Sequence, residues 1–437
     1  MGGAIHGYQP TPGFVVRWPS RSICSVGMLL EAMTGLRPRL SHKTGISSGL
    51  QNRTMIFMGQ YTRERAHRRI AELAGAGLDL ATFWRECTEP IATAVPHYLA
   101  PCWFTLDPAS LLVTSHTQEG LPEIPHEWLA MEYYEDDYNK MADVARSGPG
   151  VATLHQATGG DPSRSLRHQQ AIVPYGGDQE MIAALRTSTG EVWGALGLYR
   201  EPNQPMFDLD DMAFVEAISP HLADGARRGL LIGEATDPEG PEAPGLIVLG
   251  EGWGVESATP GVERWLAELP GGDQGLQLPP AVLSVAGQAK RSSSGAGKPG
   301  EIAFARVLSN AGRWIVLHGA TLMSGGSPRV AVIIEAAHPA RIAPLLMAAY
   351  QLTDREQEVT RLVLQGRSTK DIADTLFISA HTVQEHLKSV FEKTGVRSRR
   401  DLVGKIFFTH YEPRVRENEK RSIDGKPLRG GPFPRSL

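Results

Sequence analysis

The stretch STKDIADTLFISAHTVQEHLKSVFEKTG, residues 368–395, decides the fold of the C-terminal part of the chain. Its apolar residues recur at helical spacing in two separate runs, which places one apolar face on each of two short helices. The runs are Ile372, Ala373 and Leu376, followed by Val383, Leu387, Val390 and Phe391. Because only Phe377-Ile378-Ser379 separates them, the pattern predicts two helices joined by a tight turn, a helix-turn-helix.

Amphipathic segments on either side of this unit complete an all-α, four-helix domain over residues 351–410. Their apolar positions are Val359, Leu362 and Val363 before the unit, and Leu402, Val403, Ile406 and Phe407 after it. Several predicted helix starts carry a hydroxyl N-cap with an acid three residues later, which can satisfy free backbone N–H groups. These pairs are Thr353 with Glu356, Ser368 with Asp371, and Ser398 with Asp401. Gly366 and Gly395 stand where helices should end.

We expect the second helix of the helix-turn-helix to contact DNA, because in such units this helix enters the major groove. When its apolar residues face the core, the outward residues are His381, Gln384, Glu385 and Lys388. Gln can bind adenine, Glu can accept from cytosine, and Lys can donate to guanine or to phosphate. Ser379 would cap this helix, whose N-terminal dipole favours a phosphate. Further phosphate contacts, which fix position rather than sequence, are expected from Lys370, Thr382 and Arg399.

The same region resembles the LuxR-type helix-turn-helix family over residues 352–408. The motifs that carry the resemblance are LTDREQEV (352–359), GRSTKDIA (366–373), LFISAHTV (376–383), HLK (386–388) and KTGV (393–396). The resemblance implies a four-helix DNA-binding domain whose last helix often dimerises. Thr369 stands where the family often has Asn, and Gln384 stands where it very often has Lys. The family's usual cation is therefore missing at position 384.

The last apolar face of the domain predicts a homodimer. It is more apolar than so short a helix needs for its own small core, and it comprises Leu402, Val403, Ile406 and Phe407. We expect part of this face to pair two subunits across a two-fold axis, an arrangement that suits a palindromic pair of DNA half-sites.

Charge is distributed unevenly along the 437 residues, a length that suggests about three domains. The whole chain has a net charge of -4. Residues 350–437 hold 17 Lys and Arg against 12 Asp and Glu, whereas residues 1–349 hold 27 against 36. An acidic body with a basic end is the balance expected of a DNA-binding domain attached to modules that do not touch DNA.

Composition and periodicity divide the rest of the chain into two α+β modules with connecting segments. The predicted segments are 1–60, disordered; 61–230, first module; 231–244, linker; 245–337, second module; 338–350, connecting helix; and 411–437, a basic flexible tail. The two modules resemble a GAF domain and a PAS domain, more weakly than the C-terminal domain resembles its family. Both of these are small-molecule sensor folds, although a fold does not show that a ligand is bound.

Elements of the two modules follow from runs of β-branched and aromatic residues and from turn residues. In the first module we predict helices over 63–73, 79–95 and 208–230, strands over 102–106 and 111–115, and a hairpin of 180–186 with 192–199. In the second we predict strands over 245–249, 253–257, 302–308, 313–319 and 329–335, a helix over 260–269 and a flexible loop over 292–300. A ligand pocket is more expected behind the sheet of the first module than in the second. Trp193 and Tyr199, on the central strand of the first module, would line that pocket or, as we expect, fill the core.

Other chemistries find no support in the sequence. The three cysteines, Cys24, Cys87 and Cys102, are too scattered for a disulfide framework or a metal motif. In Gly295-Ala-Gly-Lys-Pro299 a proline stands where a phosphate loop needs Ser or Thr. No apolar run approaches the length needed to span a bilayer. We therefore expect a cytoplasmic protein that is not an enzyme, with no catalytic residues, metal or cofactor.

These observations predict a sequence-specific DNA-binding transcriptional regulator whose upstream modules sense a signal or a partner. The expected partners are double-stranded DNA, a second copy of the chain, a small-molecule effector and RNA polymerase, and no membrane. The alternative is a signal sensor or enzyme-like protein that uses the helix-turn-helix for protein contact. The operator, the effector and the sign of regulation stay open.

Overall fold

The computed structural model describes residues 47–119, 127–232, 241, 243–272, 278–299, 301–322, 328–337 and 339–405. The chain divides into two compact units, Met1–Ile56 and Phe57–Leu437. In the first unit the description covers only the beginning of helix α1, Ser47–Gly75. The segment predicted as a basic tail, residues 411–437, lies outside the described residues.

Helix α1 is longer than the sequence pattern predicts. The pattern places disorder up to residue 60 and a helix from Arg63, whereas residues 47–60 are already helical. The expectation of disorder therefore fails for these residues, because it relied on the absence of an apolar period. Ala66, Ile70 and Leu73, which do follow a helical period, are buried in the core of the first module. Residues 1–46 lie outside the described residues.

The first module contains a five-stranded antiparallel sheet. Its strands are β1 (Tyr98–Leu106), β2 (Val113–Thr117), β3 (Val151–Thr153), β4 (Gln179–Arg186) and β5 (Val192–Arg200), in the order β2-β1-β5-β4-β3. Its further helices are α2 (Leu80–Ala94), α3 (Glu127–Tyr134), α4 (Met141–Arg146), α5 (Leu154–Ala157) and α6 (Leu209–Ile232). The predicted hairpin, the closing helix and the central position of β5 are confirmed. The predicted strand 111–115 starts instead at Val113.

Both faces of this sheet are covered, which explains the almost continuous apolar runs of β4 and β5. Trp103 and Leu196 belong to a core shared with α2 and α6. In that core Trp84 stacks on Trp103 with 4.4 Å between ring centroids. Phe104 and Ile182 belong to a separate core on the opposite face. This second face is the one that meets the second module.

The second module has the same strand order as the first. Its strands are β6 (Gly245–Leu249), β7 (Val255–Ala258), β8 (Phe304–Leu308), β9 (Trp314–Leu322) and β10 (Arg329–Ala336), in the order β7-β6-β10-β9-β8. Its helices are α7 (Val262–Glu268) and α8 (Pro280–Ser293). The five predicted strands and the first helix are confirmed, whereas α8 was not predicted. Of the predicted linker 231–244, residues 233–240 and 242 lie outside the described residues.

Helix α8 joins the two modules. Its residues are buried without a break from Ala281 to Ala289. A Cβ atom on Gly287 would stand 2.3 Å from the carbonyl oxygen of Ala130 in α3, so the two helix backbones approach closely there. The apolar cluster around α8 includes Phe104, Tyr133 and Met141 from the first module and Val307, Ile315 and Leu317 from the second. The modules therefore share one core and are not independent domains on a linker.

Polar contacts reinforce this shared core. Arg306 of β8 donates to the Asp107 carboxylate from Nη2 at 2.5 Å and from Nε at 2.9 Å. The two side chains are only 8% and 0% exposed. Ser284 Oγ of α8 donates to the Val113 carbonyl at 2.7 Å. Because an unpaired charge in such a place is costly, separating the modules would destabilise both surfaces.

The C-terminal domain is helical throughout its described part. Its helices are α10 (Asp354–Leu364), α11 (Thr369–Leu376) and α12 (Ala380–Thr394), followed by a helical segment over residues 399–405. The connecting helix predicted over 338–350 is α9 (Pro339–Ala349). The apolar core of the domain extends back to Ile342 and Leu346 of α9 and to Val316 of β9. The end of the fourth predicted helix, residues 406–410, lies outside the described residues.

The close approach at Gly287 yields a prediction about stability. Gly287→Ala should destabilise the chain by about 1–3 kcal/mol, because its methyl group overlaps the Ala130 carbonyl. Alanine otherwise favours a helix by roughly 1 kcal/mol over glycine, so a loss identifies the clash. The measurement is the urea unfolding midpoint. Gly59→Ala in helix α1, where no atom stands within 4 Å of the added Cβ, is the matched control. A midpoint at or above that of the wild type would contradict the tight packing.

Candidate DNA interface

The turn between α11 and α12 is as tight as the sequence predicts. Phe377 ends α11 with φ 54° and ψ 44°, a left-handed conformation that reverses the chain direction. The Ile378 N–H donates to the Ala373 carbonyl at 3.0 Å. Ile378 packs against the domain core, whereas Phe377 is 95% exposed. The turn thus fixes the two helices through one inward side chain and leaves an aromatic ring in solvent.

The predicted caps are present at the helix starts. Thr353 with Glu356 and Ser368 with Asp371 form complete capping boxes. Ser379 caps α12 by accepting a hydrogen bond from the Thr382 N–H at 3.0 Å. Gly395 follows the end of α12 with φ 67°, in the left-handed conformation that favours glycine. Local signals therefore fix where the helices of this domain begin and end.

Glu356 connects α10 to α12 as well as capping its own helix. Its Oε2 accepts from Lys393 Nζ at 2.6 Å and from the Thr353 N–H at 2.7 Å. Its Oε1 accepts from Ser389 Oγ at 2.6 Å. Burial acts to raise the pKa of Glu356, but the hydrogen bonds from Lys393, Ser389 and Thr353 outweigh it and hold the pKa below its usual value. Sequence reasoning found the cap and missed the contact with α12.

The outward face of α12 is solvent-accessible. His381, Gln384, Glu385 and Lys388 are all exposed. Val383, Leu387 and Val390 are buried beneath them in the domain core. Thr382 is half-buried, and its hydroxyl is 2.8 Å from Ser379 Oγ. The structure therefore brings the predicted base-contacting side chains together on one rigid surface.

The other predicted contacts lie around the start of α11. Lys370 is exposed on the first turn of that helix. Arg399 is half-buried, because its guanidinium donates to Thr369 Oγ1 at 3.3 Å and to the Arg367 carbonyl at 3.1 Å. Arg399 therefore holds the loop before α11 in place. Sequence reasoning did not single out Arg367, Arg397 and Arg400, which are also exposed here. Only the local excess of basic residues pointed to them.

The predicted dimer face divides into three parts. Leu402 is fully buried in the core of its own domain, so it has no surface to offer a second subunit. Its assignment to the dimer contact is therefore corrected to a role inside the subunit. Val403 is half-buried against the same core. Ile406 and Phe407 lie outside the described residues.

The described residues include His, Cys, Asp and Glu side chains, which are common metal ligands. Among them, no group of three or more His, Cys, Asp and Glu side chains could hold a metal ion. No helix in that part of the chain is long and apolar enough to cross a membrane. Cys87 and Cys102 are buried free thiols, and burial raises the pKa of both. Both thiols therefore stay protonated and weakly nucleophilic at neutral pH.

Glu356 yields a prediction about stability and pH. Glu356→Gln should lower the free energy of local unfolding of α10 and α12 by about 1–3 kcal/mol at pH 7, because it removes charge-assisted hydrogen bonds. The contribution of a carboxylate with a lowered pKa is present above its unfolded pKa, about 4.3, and is lost as the pH falls through the folded value. The wild type and the variant should therefore converge in acid.

Hydrogen exchange of amides in α12 measures this free energy at each pH. The control is Glu392→Gln, which removes one negative charge from an exposed position of α12 and should change the protection of these amides little. Equal protection of wild type and Glu356→Gln at pH 7 would show that the contact between α10 and α12 adds no stability.

Comparison with known proteins places the C-terminal domain in a family. Residues 350–405 match the model of the bacterial regulatory proteins of the luxR family. The match to an HTH-type transcriptional regulator of Mycobacterium bovis is 54% identical over 52 residues, which cover 12% of this chain and only 6% of the relative. The match to the spore germination protein GerE of Bacillus subtilis is 46% identical over 52 residues, 12% of this chain and 70% of GerE.

Two solved structures resemble parts of the chain much more weakly. A phycoerythrobilin-bound GAF domain from a cyanobacterial phytochrome is 16% identical with a TM-score of 0.29, and covers 39% of this chain and 96% of that one. A phage VqmA–DPO complex is 25% identical with a TM-score of 0.13, and covers 22% of this chain and 49% of that one. Scores this low support no argument about the modules. Through its C-terminal domain, the chain belongs to the luxR family of bacterial regulatory proteins.

Proposed function

We propose that this protein is a sequence-specific DNA-binding transcriptional regulator whose α12 enters the major groove. The observation that carries the proposal is the solvent-accessible polar face of α12 above a buried apolar core. A helix held in this way can present side chains to base edges without rearrangement. Such a regulator acts on the chromosome, so we place it in the cytoplasm.

The residues of this face divide into base contacts and phosphate contacts. Gln384, Glu385 and Lys388 have the hydrogen-bonding groups and the exposure to meet base edges. The residues assigned to the phosphate backbone are Lys370, Ser379, Thr382 and Arg399, whereas His381 lies beside the base contacts on the outer face of α12. Arg399 would contribute through N–H groups left over from its bonds to Thr369 and Arg367. Phosphate contacts of this kind set the register of the protein on the duplex.

We also propose that the regulator acts as a homodimer through apolar residues of the last helix that the sequence predicts. With Leu402 inside the subunit, the apolar contact must come from Val403, Ile406 and Phe407. A two-fold axis there would place two copies of α12 on successive half-sites.

Regulation would act through α9, which touches both modules and the DNA-binding domain. Leu345 and Ala349 of α9 cluster with Trp193 of β5. Trp314 of β9 packs against the same cluster. On the other side, Leu346 of α9 belongs to the core of the DNA-binding domain. A change in either module therefore has a direct packed contact through which to bias that domain.

A hydrogen bond also links the first module to the start of the DNA-binding domain. Gln351, just after α9, donates from Nε2 to Asp224 Oδ1 of α6 at 2.7 Å. We propose that the two modules are sensors, the first GAF-like and the second PAS-like, and their common strand order supports related folds. A small-molecule effector and RNA polymerase are the further partners of this proposal.

One observation favours the alternative, in which the helix-turn-helix binds protein. Phe377 is a large apolar side chain with 95% of its surface exposed. Exposed aromatic residues are common anchors of protein interfaces. A gel shift with genomic fragments separates the two functions: if no fragment is retained, the domain is used for protein contact.

Lys388 tests the DNA contact. Lys388→Ala should weaken binding to a selected genomic fragment by about 1–3 kcal/mol if Lys388 contacts a base. If it meets only a phosphate, the slope of log affinity against log salt should fall by about 0.9 instead. Lys298→Ala, an exposed lysine of the second module, is the control. Affinity and slope that both stay unchanged would remove Lys388 from the interface.

Gln351 tests regulation through the α9 junction. Gln351→Glu places a carboxylate 2.7 Å from Asp224 Oδ1, so repulsion should loosen this contact. If the modules bias DNA binding, the affinity of the full chain should change by at least about fivefold, which corresponds to about 1 kcal/mol of coupling. Gln156→Glu, an exposed site of the first module, makes the same chemical change as a control. Equal affinities of both variants and the wild type would argue that this contact carries no regulation.

A further inference from the structure

Two adjoining cavities lie between the sheet of the first module and α3. The larger, the Glu180 cavity, has a volume of about 50 Å³ and is lined by Phe104, Trp128, Glu132, Arg167, Glu180 and Tyr199, among others. The smaller has a volume of about 30 Å³ and shares Trp128 and Tyr199 with it. Since a cavity of about 150 Å³ holds benzene, the two together have room for a molecule of roughly three or four heavy atoms.

The polar wall of the Glu180 cavity holds more carboxylates than cations. The side chains of Glu180 and Glu132 are only 1% and 5% exposed. Both pair with Arg167, at 2.9 Å and 3.0 Å respectively. Glu135 and Asp137 also line the cavity, and Arg167 is the only cation among its described lining residues. The wall therefore carries an excess of negative charge.

Two buried atoms on this wall have no hydrogen-bond partner in the described part of the protein. They are the acceptor Glu180 Oε1 and the donor Arg167 Nε. Burying unpaired polar groups, above all on charged side chains, costs free energy. Burial also raises the pKa of Glu132, against the attraction of Arg167. The wall thus has a place for a cationic donor next to a place for an acceptor.

The remaining wall is aromatic. Phe104, Trp128 and Tyr199 line the larger cavity. Aromatic faces attract ammonium groups, and the attraction is stronger where water is excluded. Such a wall would also pack against the short carbon chain of a small ligand. Charge, hydrogen bonding and shape therefore favour the same kind of molecule.

We propose that the Glu180 cavity, together with the smaller cavity beside it, binds a small primary ammonium compound that also carries an acceptor oxygen, such as a two-carbon amino alcohol. The ammonium group donates to Glu180 Oε1, and the oxygen accepts from Arg167 Nε. Binding of this compound would also be the signal for the proposed regulation, and this link rests on the proposed function. The cavity wall includes α3, whose backbone meets Gly287 of α8 in the second module.

Calorimetric titration of the full chain with ethanolammonium at pH 7 tests the site. The expected dissociation constant is on the order of 0.1–1 mM, in keeping with so small a ligand. Propylammonium, which lacks the oxygen, should bind several-fold more weakly, and propan-1-ol, which lacks the charge, should show no binding. Glu180→Gln puts an amide where the carboxylate is and should weaken binding at least tenfold. Glu216→Gln, an exposed substitution on α6, removes the same charge and should bind as the wild type does.

Thermal melting without ligand shows whether each variant is folded. Glu180→Gln removes one of the two carboxylates that pair with Arg167, so we expect it to melt below the wild type while Glu132 keeps the guanidinium paired. If that variant does not fold, Trp128→Leu replaces it and should also weaken ethanolammonium binding. The proposal fails if ethanolammonium does not bind the wild type, if propan-1-ol binds as well, or if the folded variant binds equally. Binding that leaves DNA affinity unchanged would support the site and overturn only its link to regulation.

Discussion

Helix α8 has no solvent-facing stripe, and the arrangement of the upstream half of the molecule depends on this. All residues from Ala281 to Ala289 are buried, and these include the polar side chains of Ser284 and Gln288. Here the sheet of its own module covers one side, and α3 and β2 of the first module cover the other. Two sheets that could each have formed a separate domain therefore share one core. Asp107 and Arg306 add a buried ion pair between the modules. If the modules separate, each of the two charges loses its partner.

The C-terminal helices could be predicted from the sequence because each signal is local. The apolar spacing of α10, α11 and α12, their hydroxyl caps and the glycine after α12 lie within a few residues of what they determine. The same spacing assigned His381, Gln384, Glu385 and Lys388 to the outer face of α12, where they are exposed. It could not tell that Leu402 serves the domain core, since an apolar face is the same whether a core or a partner covers it.

The features that sequence reasoning missed depend on contacts between distant residues. Helix α8 was not predicted, and its small residues, such as Ala286 and Gly287, serve a close approach to α3 that no local pattern displays. The pairing of Asp107 with Arg306 joins residues 199 positions apart. The role of Glu356 in holding α12 is likewise tertiary, although its capping role was visible. Local patterns therefore gave the elements, and packing decided how they combine.

The exposure of the α12 face limits how the upstream modules can act on DNA binding. In this conformation the modules contact the DNA-binding domain from the side of its core, through α9 and Gln351, and leave His381, Gln384 and Lys388 uncovered. In this conformation, therefore, the upstream modules do not cover the outer face of α12. A signal would have to favour a second arrangement, in the domain or between two subunits, and it can do so only by binding one arrangement more tightly than the other. Such a preference would act at the α9 junction. A shift of Leu345 against Trp193 moves α9, and the same helix places Leu346 in the core of the DNA-binding domain.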